Sequence, residues 1–99
     1  MKLLTKQIKN NLPKLYETEG VSSKDKVVQV KFFCPWNSWT WYAVEFNPDT
    51  NIFFGYVDGQ FGEWGYFNLD ELKSVTHWSG LSIERDRNFK PKPFKQICN

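Results

Sequence analysis

Residues 27–46 read VVQVKFFCPWNSWTWYAVEF, and this stretch decides the fold. Val28, Val30 and Phe32 alternate with Gln29 and Lys31, the period of two that marks a half-buried strand over Val27–Phe33. Cys34-Pro35-Trp36-Asn37 breaks the pattern, because proline removes a ladder donor and asparagine suits a turn. Ser38–Phe46 then reads as a second strand, paired to the first as a hairpin. Strict alternation puts Trp39, Trp41 and Ala43 on one face and Thr40, Tyr42, Val44 and Phe46 on the other. Both faces are apolar, so the strand is expected at the centre of a sheet covered on two sides.

Working outward, Asn47-Pro48-Asp49-Thr50-Asn51 is a strong turn signal. Ile52–Val57 is a third strand turned by Asp58-Gly59, and Glu63–Phe67 is a fourth. Gly55, Gly62 and Gly65 fall inside these strands, where glycine marks a bulge or a close approach. Asn68 followed by Glu71 makes a capping box for a short helix, with Leu69, Leu72 and Val75 as its buried stripe. Near the start, Thr5 caps a two-turn helix with Ile8 and Leu12 on one face, and Pro13 stops it. Leu15–Gly20 reads as an extended segment with a turn, Val21–Lys26 as a loop and Leu81–Glu84 as a last strand. The end, residues 85–99, reads as an extended basic tail anchored by Phe89 and Phe94. The expectation is one α+β domain over residues 1–99: an antiparallel sheet of about four to five strands with two short helices.

The 99 residues suit a single core, and 40% apolar with 24% charged is ordinary. The aromatic share of 18% is not: nine Phe, five Trp and four Tyr exceed what a small core needs, so some rings are expected at the surface, where aromatics serve interfaces. No run of about 18 apolar residues exists. In MKLLTKQIKNN only Leu3 and Leu4 are apolar before polar residues resume, too little for a secretory signal. A cytoplasmic location with no membrane partner is expected.

A net charge of +2 conceals a segregation. Residues 1–31 hold seven lysines against three acids, and 73–99 hold six cations against two. Residues 32–72 contain no Lys or Arg and carry Glu45, Asp49, Asp58, Glu63, Asp70 and Glu71. Either the basic ends fold over the acidic middle and neutralise it, or the surface is bipolar.

Catalytic groups are sparse. The single histidine, His77, lacks a flanking nucleophile pattern, although a dyad with Cys34 is formally open. The carboxylates Glu45, Asp58 and Glu63 are dispersed rather than spaced for a metal loop. Cys34 and Cys98 lie far apart with no CxxC pair, and both are expected as free thiols. No enzyme activity, cofactor or metal is expected. Two binding signals remain. One is an acidic or aromatic face carrying Trp36, Trp39, Trp41, Tyr42, Glu45, Asp58 and Glu63. The other is the basic tail with Arg85, Arg87, Lys90, Lys92 and Lys95, suited to phosphates or to an acidic protein. Rings on a sheet can stack on bases, but a block without Lys or Arg attracts phosphate poorly, which favours core or a protein partner. For the tail, Glu84 and Asp86 are available to neutralise the arginines.

Leu12-Pro13, Leu15-Tyr16 and Thr18-Glu19-Gly20, followed by VKFFCPWNSWTWYAVEF (30–46), FFGYV (53–57), GYFNLDEL (65–72) and LSIERDRNFKPKPF (81–94), carry a resemblance over nearly the whole chain. Its most specific pieces are Trp39-Thr40-Trp41-Tyr42, Gly65-Tyr66-Phe67 and Ile83-Glu84-Arg85-Asp86. The chain resembles a family of short bacterial proteins of unknown function, common on plasmids, conjugative elements and phage-like islands. A subset of that family resembles anti-CRISPR proteins that inhibit the type II RNA-guided DNA nuclease. The resemblance implies a small non-enzymatic inhibitor that occupies a surface of the nuclease or of its guide RNA. The alternative it leaves open is a nucleic-acid-binding accessory protein of a mobile element.

Overall fold

A computed structural model describes residues 2–97. The chain is α+β, with two short helices, a five-stranded antiparallel sheet and a separate two-stranded one. Helix α1 (Lys6–Asn11) begins where the Thr5 hydroxyl accepts the Ile8 N–H at 3.2 Å, and it ends at Leu12, before Pro13. Strands β1 (Val27–Val28), β2 (Val30–Phe33), β3 (Thr40–Asn47), β4 (Ile52–Asp58) and β5 (Gly62–Asn68) follow. Helix α2 (Leu69–Ser74) starts on the Asn68 side chain, which accepts the Asp70 N–H at 2.7 Å. Strands β6 (Glu84–Arg85) and β7 (Lys92–Pro93) complete the order. The main sheet runs β5-β4-β3-β2-β6, and β1 pairs with β7.

β3 lies at the centre, as its two apolar faces require. One face buries Val30, Phe32, Ala43, Phe46 and Phe53 under Leu3, Leu4, Leu12, Leu69, Leu72 and Ile83. The other buries Val28, Tyr42 and Val44, with Tyr56 and Trp64 packed beside them under Phe89, Phe94 and Ile97. The helices therefore cover one side of the sheet, and the basic tail covers the other.

Strict alternation fails at two places, both irregularities of the ladder. The stretch Val27–Phe33 is two strands rather than one. The Gln29 N–H donates to the Ala43 carbonyl at 2.9 Å while Val30 is the register partner of Ala43, so two residues oppose one. Val28 consequently packs on the tail side, and Val30 and Phe32 on the helix side. In β3 a bulge falls between Ala43 and Glu45, which returns Phe46 to the side of Trp41 and Ala43 rather than that of Tyr42 and Val44. Two further expectations are corrected. Val75 is the exposed C-cap of α2 and not part of its buried stripe, because the helix closes after one and a half turns. The last strand of the main sheet is Glu84–Arg85 rather than Leu81–Glu84: only these two residues meet Phe33 and Phe32, and Leu81 is exposed.

Gly55 is the close approach the sequence suggests, since a Cβ there would sit within the carbonyl of Tyr42. Among the described residues no helix is long and apolar enough to cross a membrane. Cys34 is a buried free thiol within the helix-side core; Cys98 lies outside the described residues.

Candidate functional site

The two ring groups of the acidic middle segment separate by depth. Tyr42 is buried against Val28 and Val44. Trp36 and Trp41 are half-buried at the margin of the helix-side core. Trp39 is exposed, with its ring centroid 6.0 Å from that of Trp41 and its benzo edge lying over Gly59, where a Cβ would come within 2.4 Å of the ring unless Trp39 moved. Asp58 and Glu63, at the mouth of the β4–β5 hairpin, are exposed as well. Phe61, at the tip of that hairpin, is 80% exposed.

A second group of rings comes from the connection after α2. The His77 ring lies between Trp36, at a centroid distance of 5.0 Å, and Trp78, at 5.2 Å. Its Nδ1 is 2.7 Å from the Ser79 hydroxyl, and Gly80 closes the turn at φ 91°. His77 therefore serves as a spacer in a ring ladder. Trp78, at the outer end of the ladder, is 92% exposed. A tryptophan held at that exposure by a hydrogen-bonded turn contributes nothing to the core and presents a large apolar surface to a partner.

Glu45 stands apart from the other acids. It is only 3% exposed, and its carboxylate accepts the Tyr16 N–H at 2.8 Å, the Thr18 N–H at 2.9 Å and the Thr18 hydroxyl. Lys26, also buried, donates to the carbonyl and hydroxyl of Thr18 and lies 5.9 Å from the Phe54 ring centroid. These groups hold the 15–20 segment, a chain of tight turns with Tyr16 at φ 71°, against the tail side of the sheet. Tyr16, Glu19, Lys26, Glu45, Phe54 and Tyr66 line a cleft of about 290 Å3 there. The Tyr66 hydroxyl hydrogen-bonds to the Tyr16 side chain, which holds it above the usual tyrosine range, with desolvation adding to it. Sequence reading missed Tyr16, Lys26 and Tyr66 in this cleft. The one available signal was an acid, Glu45, inside an otherwise apolar strand.

The basic tail is dispersed by its packing. Lys92 lies 5.2 Å over the Phe89 ring, and Lys95 bonds Asp25 at 3.1 Å. A hydrogen bond donated by the Ser22 hydroxyl, and after it the Lys95 contact, hold the Asp25 carboxyl below its ordinary value. Arg85 donates to the Lys2 carbonyl, and Asp86 lies 3.8 Å from Lys31. Arg87 and Lys90 are exposed. Arg85 and Arg87 share a cleft of about 350 Å3 with Thr5, Gln29 and Phe89. Among the described residues no group of three or more His, Cys, Asp or Glu side chains could hold a metal ion.

Residues 3–95 match the model of a family described as protein of unknown function (DUF2958). The chain belongs to this family. No curated protein and no solved structure matches it.

Proposed function

We propose that this DUF2958 protein is a non-enzymatic binding protein. Its contact surface is the ring-bearing, acidic end of the sheet formed by Trp39, Phe61, Asp58 and Glu63, together with Trp78. The observation that carries the reading is Trp78, 92% exposed at the end of a built ring ladder. Exposed tryptophans on a scaffold that does not need them for packing supply the buried anchors of protein interfaces. With no Lys or Arg between residues 32 and 72, this end suits a basic partner surface.

For the partner we propose a type II RNA-guided DNA nuclease, with the protein acting as its stoichiometric inhibitor. Two things support this: the resemblance carried by the Trp39–Tyr42, Gly65–Phe67 and Ile83–Asp86 motifs, and the positively charged nucleic-acid channel of such nucleases, which complements the acidic end. The test is DNA cleavage by a purified nuclease and guide RNA under titration with this protein. Loss of cleavage in proportion to added protein supports the proposal, and cleavage unaffected at large excess refutes it.

A second reading, a nucleic-acid-binding accessory protein of a mobile element, is favoured by the Arg85–Arg87 cleft with its adjacent Phe89 ring. It predicts single-strand binding that weakens with salt, with a slope reduced by Arg87→Ala and Lys90→Ala. A slope unchanged by both substitutions removes the tail from that role.

A further inference from the structure

The outer edge of the main sheet is β5, seven residues long, with the sequence GEWGYFN. Its ladder register fixes which backbone groups point outward. The Leu69 N–H donates to the Asn51 carbonyl at 2.8 Å, one rung beyond the Ile52–Asn68 pair. Hydrogen-bonded and open rungs alternate in an antiparallel ladder. Phe67, Gly65 and Glu63 therefore bond inward to β4, whereas Asn68, Tyr66, Trp64 and Gly62 turn their N–H and C=O groups away from it. The far side of β3 agrees: the Ala43 carbonyl is taken by Gln29, so the Ala43–Gly55 rung is open and Gly55 bonds toward Gly65.

Sheets usually blunt such an edge with lysine, proline or a bulge. β5 has no lysine, no proline and an unbroken register with β4, and its one charge is Glu63. Tyr66, Glu63 and Gly62 are exposed on it.

We propose that β5 pairs antiparallel with β5 of a second copy of this chain about a two-fold axis through Gly65, joining two sheets into one of ten strands. The register is self-complementary. With Gly65 facing Gly65, Trp64 meets Tyr66 of the other copy and Gly62 meets Asn68, so every outward residue meets an outward residue. The axis falls on an open rung, where backbones approach to about 4.5 Å, and no other group lies within 4 Å of where a Gly65 Cβ would be. Trp64 and Tyr66 form an aromatic cross-strand pair twice, the kind of pair that stabilises a sheet. The two Glu63 side chains end up four residues apart along the strands, roughly 14 Å at 3.4 Å per residue. That exceeds the Debye length of about 8 Å at physiological salt, so their repulsion is screened. No other register of this strand pairs four outward residues with four.

The experiment is amide hydrogen exchange by NMR on the full chain, alongside light-scattering mass, from micromolar to near-millimolar concentration. The proposal expects a mass of twice the 11.8 kDa chain at high concentration. It also expects the Trp64 and Tyr66 amides to be slowed at least tenfold relative to dilute protein, with the Gly65 and Phe67 amides protected throughout. Tyr66→Lys, which places two cations within a Debye length across the axis, should return a folded monomer. A chain that stays monomeric at the highest concentration overturns the proposal. So does a dimer whose Trp64 and Tyr66 amides exchange as fast as in the monomer, which would place the interface elsewhere, or a Tyr66→Lys dimer as tight as the native one.

Discussion

The carboxylate of Glu45 accepts the backbone N–H of Tyr16 at 2.8 Å, joining the bulge of the central strand to a turn 29 positions earlier in the chain. The same carboxylate takes both Thr18 donors, and Thr18 in turn takes Lys26. One buried acid thus organises the 15–20 segment, a left-handed tyrosine and a buried lysine. Glu45→Ala should cost about 3–5 kcal/mol, the range for stripping one partner from a buried charged network. It should also free the 15–20 segment. Chemical denaturation measures the first, and proteolytic sensitivity of that segment measures the second. A loss below about 1 kcal/mol would mean that water replaces the carboxylate at little cost.

Gly55 and Gly65 face each other across β4 and β5 but should respond in opposite ways to alanine. At Gly55 the new methyl meets the Tyr42 carbonyl, a backbone atom that cannot retreat without breaking the central ladder. Gly55→Ala is expected to destabilise by more than about 3 kcal/mol, beyond the ordinary run of point changes. Gly65→Ala meets open space within the chain. It should leave the stability of the monomer within about 1 kcal/mol, since the better strand propensity of alanine offsets the small loss of backbone fit. Thermal or denaturant unfolding of the two variants at low concentration distinguishes them.

Tyr66 gives an alkaline prediction. Its hydrogen bond with Tyr16 raises the pKa of the folded state above the ordinary 10.0. A group whose folded pKa is raised contributes stability that is fully present below the unfolded value and is lost as pH rises through the folded one. The link between Tyr66 and the 15–20 segment should therefore hold at neutral pH and weaken above about pH 10. An ultraviolet titration of tyrosinate should show a late-ionising component that Tyr66→Phe removes. Asp25 behaves in the opposite sense. Its lowered carboxyl supports the Lys95 tie above the ordinary carboxylate pKa of 3.8 and loses that support as pH falls through the lowered value.

Much of the sheet was legible because its signals are local. Alternation, the Asn47–Asn51 turn and the Asn68 cap each occupy a few residues, and each names its own element. The double burial of β3 followed from apolar residues on both of its faces. What the sequence concealed was non-local. The bulge that sends Phe46 across the sheet depends on how β4 pairs with β3, and the split at Gln29 depends on a carbonyl in β3. Glu45 read as a surface acid because its partners, Tyr16 and Thr18, are backbone and hydroxyl groups that carry no charge pattern. The tail read as an extended basic segment anchored by Phe89 and Phe94, and both rings do pack over Val28, Tyr42 and Val44. Its short strand β7 went unread because it depends on pairing with β1, far earlier in the chain. That packing occupies Lys92 and Lys95 and leaves Arg87 and Lys90 outward.

The proposed function has the exposed ring surface bind a nuclease stoichiometrically. The most direct measurement titrates native protein and Trp78→Ala, side by side, into a type II nuclease cleavage reaction with guide RNA bound. The native chain should abolish cleavage near one equivalent per nuclease. Trp78→Ala, folded as judged by circular dichroism, should need roughly 30-fold more, the consequence of losing an interface anchor worth about 2 kcal/mol. Full cleavage at large excess of the native chain contradicts the inhibitor assignment. Equal potency of the two proteins contradicts the placement of the contact surface at Trp78.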